Sequence, residues 1–393
     1  MSGDRAVDVL VVGLGPAGAR AAAAAARGGA RVHAVDRKAV AGDPVQCAEL
    51  VPALLGCDVP RLGASVRQAI EAMHTFVEED GVDATEPFPG QMVDRAAFDA
   101  ALVEEARTAG AEILLATRVR AIDSAGGVTL GDGTRLAPRV LVGADGPRSI
   151  VGRAIGRVNA EVVETRQLTV PLAASHAATD IFLSAAIPGG YGWLFPKGRV
   201  ANLGAGVDRA HMGRLKAIVA RLHAALAREG RVGREVLSRT GGPIPVAGML
   251  DPRGRLGEVA VLLAGDAAGL ANPVTGAGIA AAVHSGSLAG EAAARHLAGD
   301  ARACDDYARD LDDLLGAALA RAAARRRELA ASSRDKQALR RAWIAYPEYW
   351  AHETGDRPHF PKSEIPTDDA PSSSFEKCGL SPVFSPIFSG DTR

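Results

Sequence analysis

The chain has 393 residues, of which 47% are hydrophobic and 23% charged, with a net charge of −1. That length suggests about two to three domain-sized units, and the near-neutral balance supplies no global field favouring nucleic acid. The four cysteines, Cys47, Cys57, Cys304 and Cys378, show neither metal-ligand spacing nor a disulfide framework, so a reducing compartment and no metal are expected.

Val7 to Val12 is short, apolar and Val-rich, and reads as a buried strand. The Ala-rich run Pro16 to Arg27 has high helix propensity, and Arg31 to Val35 reads as a second strand ending at Asp36, which completes one βαβ unit. Ala41 to Pro60 is irregular, and a mixed stretch follows to Met92. Arg95 to Ala109 predicts a helix with Phe98, Leu102 and Ala106 on one face. Glu112 to Thr117, Gly127 to Leu136 and Arg139 to Gly143 read as strands separated by Gly- and Asp-rich turns. From Glu161 to Val207 the pattern is mainly extended. Met212 to Ala227 predicts a helix, Val259 to Leu263 a buried strand, and a long Ala-rich helix starts at about Gly276. Asp305 to Ala345 reads as helical. Beyond Glu353, Pro, Ser and Asp dominate, the composition of a disordered tail. No signal-peptide pattern opens the chain, and no run of about 18 apolar residues lacks charge or turn signals, so no transmembrane helix is expected. A nucleotide-binding domain built from separated segments, with a β-rich insertion, fits this order.

Gly13-Leu14-Gly15-Pro16-Ala17-Gly18 lies between the first strand and the first helix. Gly13 permits the tight turn, Gly15 lets backbone approach a pyrophosphate at the helix N-terminus opened by Pro16 and Ala17, and Gly18 allows close helix packing. Asp36 is placed to accept from a ribose hydroxyl, and its charge disfavours a 2′-phosphate, so FAD or NAD fits better than NADP. Arg37 either orients the adenosine half or is a solvated surface arginine. Two further acids end strands beside glycines: Asp145 with Gly146, and Asp266 with Gly265. Asp266 is placed to accept from a ribityl hydroxyl. The backbone through Gly276, Ala277, Gly278 and Ile279 would face the flavin edge where negative charge gathers on reduction.

These three motifs in this order resemble the FAD-binding signature of the para-hydroxybenzoate hydroxylase-like flavoprotein superfamily. The resemblance implies an α/β fold: a Rossmann-like FAD-binding domain from residues 1–45, 93–155 and 256–300, with an inserted, mainly antiparallel β substrate domain from 46–92 and 156–255. A C-terminal helical region spans 301–352 and a Pro/Ser-rich tail 353–393. No second strand–GxGxxG–helix unit is found, so NAD(P)H or another reduced carrier would dock transiently as electron donor.

Tyr191-Gly192-Trp193-Leu194-Phe195-Pro196 resembles the Tyr-x-Trp-x-Phe-Pro signature of the geranylgeranyl reductase family, flavoenzymes that saturate isoprenoid double bonds in lipids, quinones or pigment precursors. Alternate residues of an extended segment share a face, so Tyr191, Trp193 and Phe195 either line an apolar wall or fill core. Pro44-Val45-Gln46-Cys47-Ala48-Glu49 resembles the family's Cys-Gly-Glu stretch near the flavin, with Ala48 in place of Gly. Cys47 then relays a proton or tunes the flavin pocket, or is a buried inert cysteine. The expected catalytic residues are Cys47, Tyr191 and Trp193. Tyr191, Trp193, Phe195 and Pro196 are expected to meet a hydrophobic prenylated substrate. Cys47 and Ala48 are also expected beside the cofactor.

Two other functions fit the same framework. Tyr191 to Pro196 also resembles the Trp-x-Trp-x-Ile-Pro segment of flavin-dependent halogenases, which brings an O2-using monooxygenase or halogenase into view. An electron-transfer flavoprotein–quinone oxidoreductase would carry an Fe–S cysteine cluster near its C-terminus, where Cys304 and Cys378 stand alone. Finally, Arg321, Arg325, Arg326, Arg327, Arg334, Lys336, Arg340 and Arg341 precede Trp343, Tyr346, Tyr349 and Trp350. The stretch 321–350 reads either as an element drawn to an anionic membrane surface, on a cytoplasmic protein peripheral to the inner face, or as a helix packed on the flavin domain with clustered aromatics.

Overall fold

The structure is a computed structural model that describes residues 5–53, 62–331 and 335–351. Cys57, Arg334, Cys378 and the 353–393 tail lie outside the described residues. Arg5–Val12 is the centre of an 8-stranded sheet. It pairs in parallel with Val32–Val35 on one side and Arg135–Gly143 on the other. Glu112–Leu114 and Val259–Leu263 extend the parallel set outward, and Arg253–Leu256 closes one edge in antiparallel fashion. Strands covered on both faces need apolar side chains throughout, and Val9, Leu10, Val11, Val140, Leu141, Val142, Val261, Leu262 and Leu263 are all fully buried.

The helices Pro16–Arg27 and Ile279–Leu297 pack on this sheet with their backbones nearly touching. A Cβ at Gly286 would stand 2.1 Å from the Ala17 carbonyl oxygen, and one at Gly290 2.3 Å from that of Ala21. Small residues at both positions are what allow that approach, and it brings the start of Pro16–Arg27 against Gly286, about two turns into Ile279–Leu297.

The second 8-stranded sheet runs Ser238–Thr240, Val162–Pro171, Val200–Asp208, Gly192–Lys197, Ala178–Leu183, Ala72–Val77 and Val82–Thr85, with Pro243–Pro245 also on Val162–Pro171. Its pairings are antiparallel except Ala178–Leu183 against Ala72–Val77. One face is covered by Leu215–Arg228 through Ile218, Val219, Leu222 and Leu226. The other carries Met73, Ile181, Trp193 and Phe195 and meets Leu339 and Trp343.

Several elements differ from expectation. The irregular stretch contains Leu50–Pro52, which joins Gly90–Val93 and Val66–Ile70 in a small sheet. Gly127 to Leu136 is a hairpin rather than one strand, because Gly131 to Gly133 reverses the chain between Val128–Leu130 and Arg135–Gly143. The helix foreseen from about Gly276 begins at Ile279, since Gly276, with φ +69°, belongs to the preceding loop. The C-terminal helix is not continuous: Ala303–Leu311, a π-turn at Asp312–Gly316, Ala317–Ala331 and Lys336–Arg341 follow one another. Tyr307, fully buried, ties this region to the first sheet by donating to the Leu263 carbonyl at 2.6 Å.

Candidate functional site

The two helix N-termini and the aromatic face of the second sheet enclose one cavity of about 280 Å³. The glycine turn forms one end. Gly13 has φ +94°, and a Cβ there would lie 2.3 Å from the Ala144 carbonyl oxygen, while one on Gly18 would lie 1.8 Å from that of Gly13. Gly15 differs: its Cβ position meets nothing within 4 Å. It caps the helix with no side chain, followed by Pro16. An open approach to an uncapped helix N-terminus suits a pyrophosphate, so the residues present fit FAD here. Asp36 accepts from the backbone N–H of Leu14 at 2.7 Å and of Lys38 at 2.8 Å, which fixes the carboxylate at the end of its strand. Arg37 beside it is exposed.

Gly15, Pro16, Ala17, Gly146, Gly265, Asp266, Gly276, Ala277, Gly278 and Ile279 all line the cavity. Burial pushes the Asp266 carboxyl up to about 6, with the Arg95 charge acting in the opposite direction. Asp145 contributes differently from expectation. Its two oxygens accept from the Ser149 hydroxyl at 2.5 Å and the Ile150 N–H at 2.6 Å, so the carboxylate holds the start of the helix Ile150–Ala154 and leaves Ala144 and Gly146 at the cavity.

Tyr191, Trp193 and Phe195 line the opposite wall, with ring centroids 5.7 Å and 6.1 Å apart in sequence. Pro196 is a correction: one step further along the strand, the pleat turns it to the other face with Leu194, away from the cavity. The Tyr191 hydroxyl donates to the Thr275 carbonyl at 2.6 Å, and burial, with Cys47 nearby, pushes the phenol above its ordinary value. Trp193 Nε1 donates to Gln167 Oε1 at 3.2 Å.

Cys47 and Ala48 complete the wall. A polar network that sequence reading missed holds them. Gln167 donates to the Cys47 carbonyl at 3.2 Å and Asn202 to that of Ala48 at 3.2 Å. Glu49, buried and at φ +67°, accepts from the Arg95 N–H at 3.0 Å, from Asn202 at 2.9 Å and from the Lys197 ammonium. The Arg95 guanidinium clasps Asp99 at 2.9 and 3.1 Å, with Cys47 nearby. Burial alone would lower the Arg95 pKa; the facing Asp99 and Cys47 outweigh it, so this side chain stays a cation. A non-glycine residue in the left-handed region, held by two strands and a helix, marks a site whose geometry is enforced. The available signal was polar residues at buried positions of apolar strands, namely Gln167 and Asn202.

The aromatic residues near the C-terminus turn inward. Trp343 lines the cavity at 4.9 Å from Tyr191, and Tyr349 is buried. Lys336 and Arg340 pair with Asp80, and the Tyr346 hydroxyl donates to Asp83. These contacts fit the second of the two readings of 321–350, a helix packed on the fold with its aromatics clustered. No helix of the described residues is long and apolar enough to cross a membrane.

Among the described residues one side-chain group has metal-ligand proximity: His74, His176 and Asp180. Met73, Thr179 and Ile181 line the cavity, so His74 and Asp180 sit on the far face of the sheet. Both imidazoles contact the same Asp180 oxygen, at 3.2 and 3.0 Å, and Arg231 takes the other. That guanidinium already neutralises the buried carboxylate, and the group reads as an ion-pair and hydrogen-bond network around it.

A model of FAD dependent oxidoreductases matches residues 8–140, and one of the geranylgeranyl reductase catalytic domain matches residues 162–242. A digeranylgeranylglycerophospholipid reductase of Methanocella arvoryzae is 33% identical over 340 residues, covering 79% of this chain and 84% of that protein. One of Methanocaldococcus jannaschii is 29% identical over 306 residues, covering 74% and 77%. Among solved structures, a geranylgeranyl bacteriochlorophyll reductase-like protein from Thermoplasma acidophilum superposes with a TM-score of 0.76 at 23% identity, over 86% of this chain and 90% of that one. A probable FAD-dependent monooxygenase from Pseudomonas aeruginosa gives 0.65 at 22% identity, over 85% and 98%, a likeness of fold.

Proposed function

This chain belongs to the geranylgeranyl reductase family of FAD-dependent oxidoreductases, and from that premise we propose that it saturates isoprenoid C=C bonds of a prenylated lipid. The observation that carries the reading is the aromatic wall of Tyr191, Trp193 and Phe195 facing the Gly276–Ile279 loop across one cavity. FAD held by the Gly13–Gly18 turn and the Gly265–Ile279 segment would, once reduced, supply the electron pair for the reduction. The chain supplies position and dryness: Met73, Phe88, Ile181 and Trp343 continue the apolar lining, which suits a hydrocarbon and excludes water from the reacting bond.

Cys47 is the side chain on this wall suited to hold the proton for the substrate carbon. Its sulfur accepts from the Glu49 N–H at 3.2 Å, which fixes where a proton would be delivered. The uncapped N-terminus of Ile279–Leu297, with its oriented N–H groups, favours negative charge gathering at the Gly276–Gly278 loop. Electrons would come from NAD(P)H or another reduced carrier docking transiently. Contact with a membrane, for a lipid-borne substrate, would fall to exposed cations such as Arg327 and Arg341 rather than to aromatic anchoring.

Mass spectrometry of lipids and quinones from host cells with and without the gene tests the reading. A prenylated species that gains hydrogen only when the gene is present supports it, and identical saturation in both extracts contradicts it.

A further inference from the structure

Tyr191 and Trp343 line two adjacent spaces, the main cavity and a second one of about 20 Å³ beside it. The second space has room for little more than a water molecule. Leu183, Val274, Leu329 and Leu339 make its lining mainly apolar, and Arg326 at its margin donates to the Pro273 carbonyl at 3.4 Å. The two rings between the spaces stand 4.9 Å apart. Tyr191 is committed to the Thr275 carbonyl. The Trp343 indole is buried, and its Nε1 finds no acceptor among the described residues. A buried donor left unpaired is unfavourable, so what this position gains from tryptophan is bulk. The segment that carries the ring is pinned on both sides: Lys336 and Arg340 pair with Asp80, and the Tyr346 hydroxyl donates to Asp83 at 2.6 Å.

The main cavity also has a direction. Phe195 pairs with Asn202, and Asn202 donates to Glu49, which lines the cavity. Ile181 pairs with Trp193, which sets Thr179 level with Phe195. Thr179 is fully buried, lines the cavity, and its hydroxyl is without a partner among the described residues. Polar groups therefore gather at the Phe195 end. Tyr191 and Trp343 stand at the other end, about 13 Å away at the rise of an extended chain. A prenyl compound is polar at its head and apolar at its tail. Such a molecule lying along the aromatic wall places its head near Glu49 and Thr179 and its tail against Trp343, since burying a polar head in the apolar end would leave it unpaired.

We propose that Trp343 is the stop for the hydrocarbon tail and so determines how many isoprene units the cavity accepts. An indole is at least as large as one isoprene unit, so removing it joins the two spaces and admits a longer chain. The proposal rests on the prenyl-reductase reading and makes Trp343 a specificity-determining residue of that site.

The test is equilibrium binding of geraniol, farnesol, geranylgeraniol and geranylfarnesol, each one isoprene unit longer than the last, to the FAD-loaded protein. Bound FAD absorbance and the melting temperature check folding. Wild-type affinity should rise with length to an optimum and then fall. Trp343→Ala should favour the next longer alcohol over that optimum roughly tenfold more than the wild type does. Trp343→Phe should show part of the same change, and it carries the test if Trp343→Ala does not hold FAD. Phe88→Ala enlarges the opposite end and should weaken binding without moving the optimum. An optimum unmoved in both Trp343 variants overturns the proposal, as does one that moves in Phe88→Ala instead. A wild type that binds none of the alcohols, or binds them ever more tightly with length, also overturns it. Hydrogenation is scored separately on the same samples. If the optimum moves as expected and no alcohol gains hydrogen, the tail stop stands and the reductase reading falls; hydrogenation with an unmoved optimum gives the reverse.

Discussion

The Tyr191 hydroxyl stands 2.6 Å from the Thr275 carbonyl oxygen, and through this bond the aromatic wall of the second sheet is joined to the loop that opens Ile279–Leu297. Tyr191→Phe keeps the ring against Trp193 and Trp343 and removes only the hydroxyl, a loss of about 1 kcal/mol. Substrate placement relative to the loop should suffer more than the fold does. We expect turnover to fall roughly fivefold with thermal stability nearly intact. Turnover at the wild-type rate, measured with the same FAD content, would show that this bond does not position the site.

Glu49 links Arg95, Lys197 and Asn202 beneath Cys47. Glu49→Ala strands the Lys197 ammonium and frees a backbone held at positive φ, so destabilisation of roughly 3 kcal/mol is expected. Glu49→Gln, which keeps one acceptor, should lose less. Chemical denaturation of the two variants checks the order; equal losses would contradict it.

Gly286→Ala places a methyl group 2.1 Å from the Ala17 carbonyl. Backbone cannot give way as a side-chain tip can, so the two helices must separate, at a cost of about 1–3 kcal/mol or more. Because Ala17 also lines the cavity, FAD retention on purification should drop along with the melting temperature. Full FAD occupancy in this variant would show that the helix contact does not shape the cofactor site.

The Asp266 carboxyl is pushed up to about 6 by burial, against 3.8 for the free group. An acid whose folded-state pKa exceeds its unfolded value binds more protons when folded, so its contribution to stability falls as pH rises between those two values. The shift is worth on the order of 1–3 kcal/mol at neutral pH. The FAD-free protein should therefore gain stability on mild acidification through this window, and Asp266→Asn should flatten that rise. Thermal melts of both proteins across the window measure it; parallel pH profiles would contradict the assignment.

Much of the cofactor side was legible in the sequence because it is local. Gly13, Gly15, Gly18 and Asp36 lie within one βαβ unit, and Gly265 to Ile279 within one strand, loop and helix. The period-2 rule likewise put Tyr191, Trp193 and Phe195 on one wall, and applied strictly it also separates Pro196 from them. What stayed hidden depends on distant partners. Glu49 meets Arg95, Lys197 and Asn202 only after two strands and a helix have assembled. The aromatics behind the basic helix suggested a membrane because composition does not tell an outward ring from an inward one. Trp343 is buried only because the aromatic sheet face lies opposite it.

Prenyl reduction is tested most directly with the purified, FAD-loaded protein, chemically reduced under anaerobic conditions and given a geranylgeranyl lipid. The product should gain one H2 for each double bond reduced, read as a mass increase, and Trp193→Ala should lower the yield at equal FAD content. An unchanged substrate, or a product that forms only in air and carries oxygen or halogen, would contradict it.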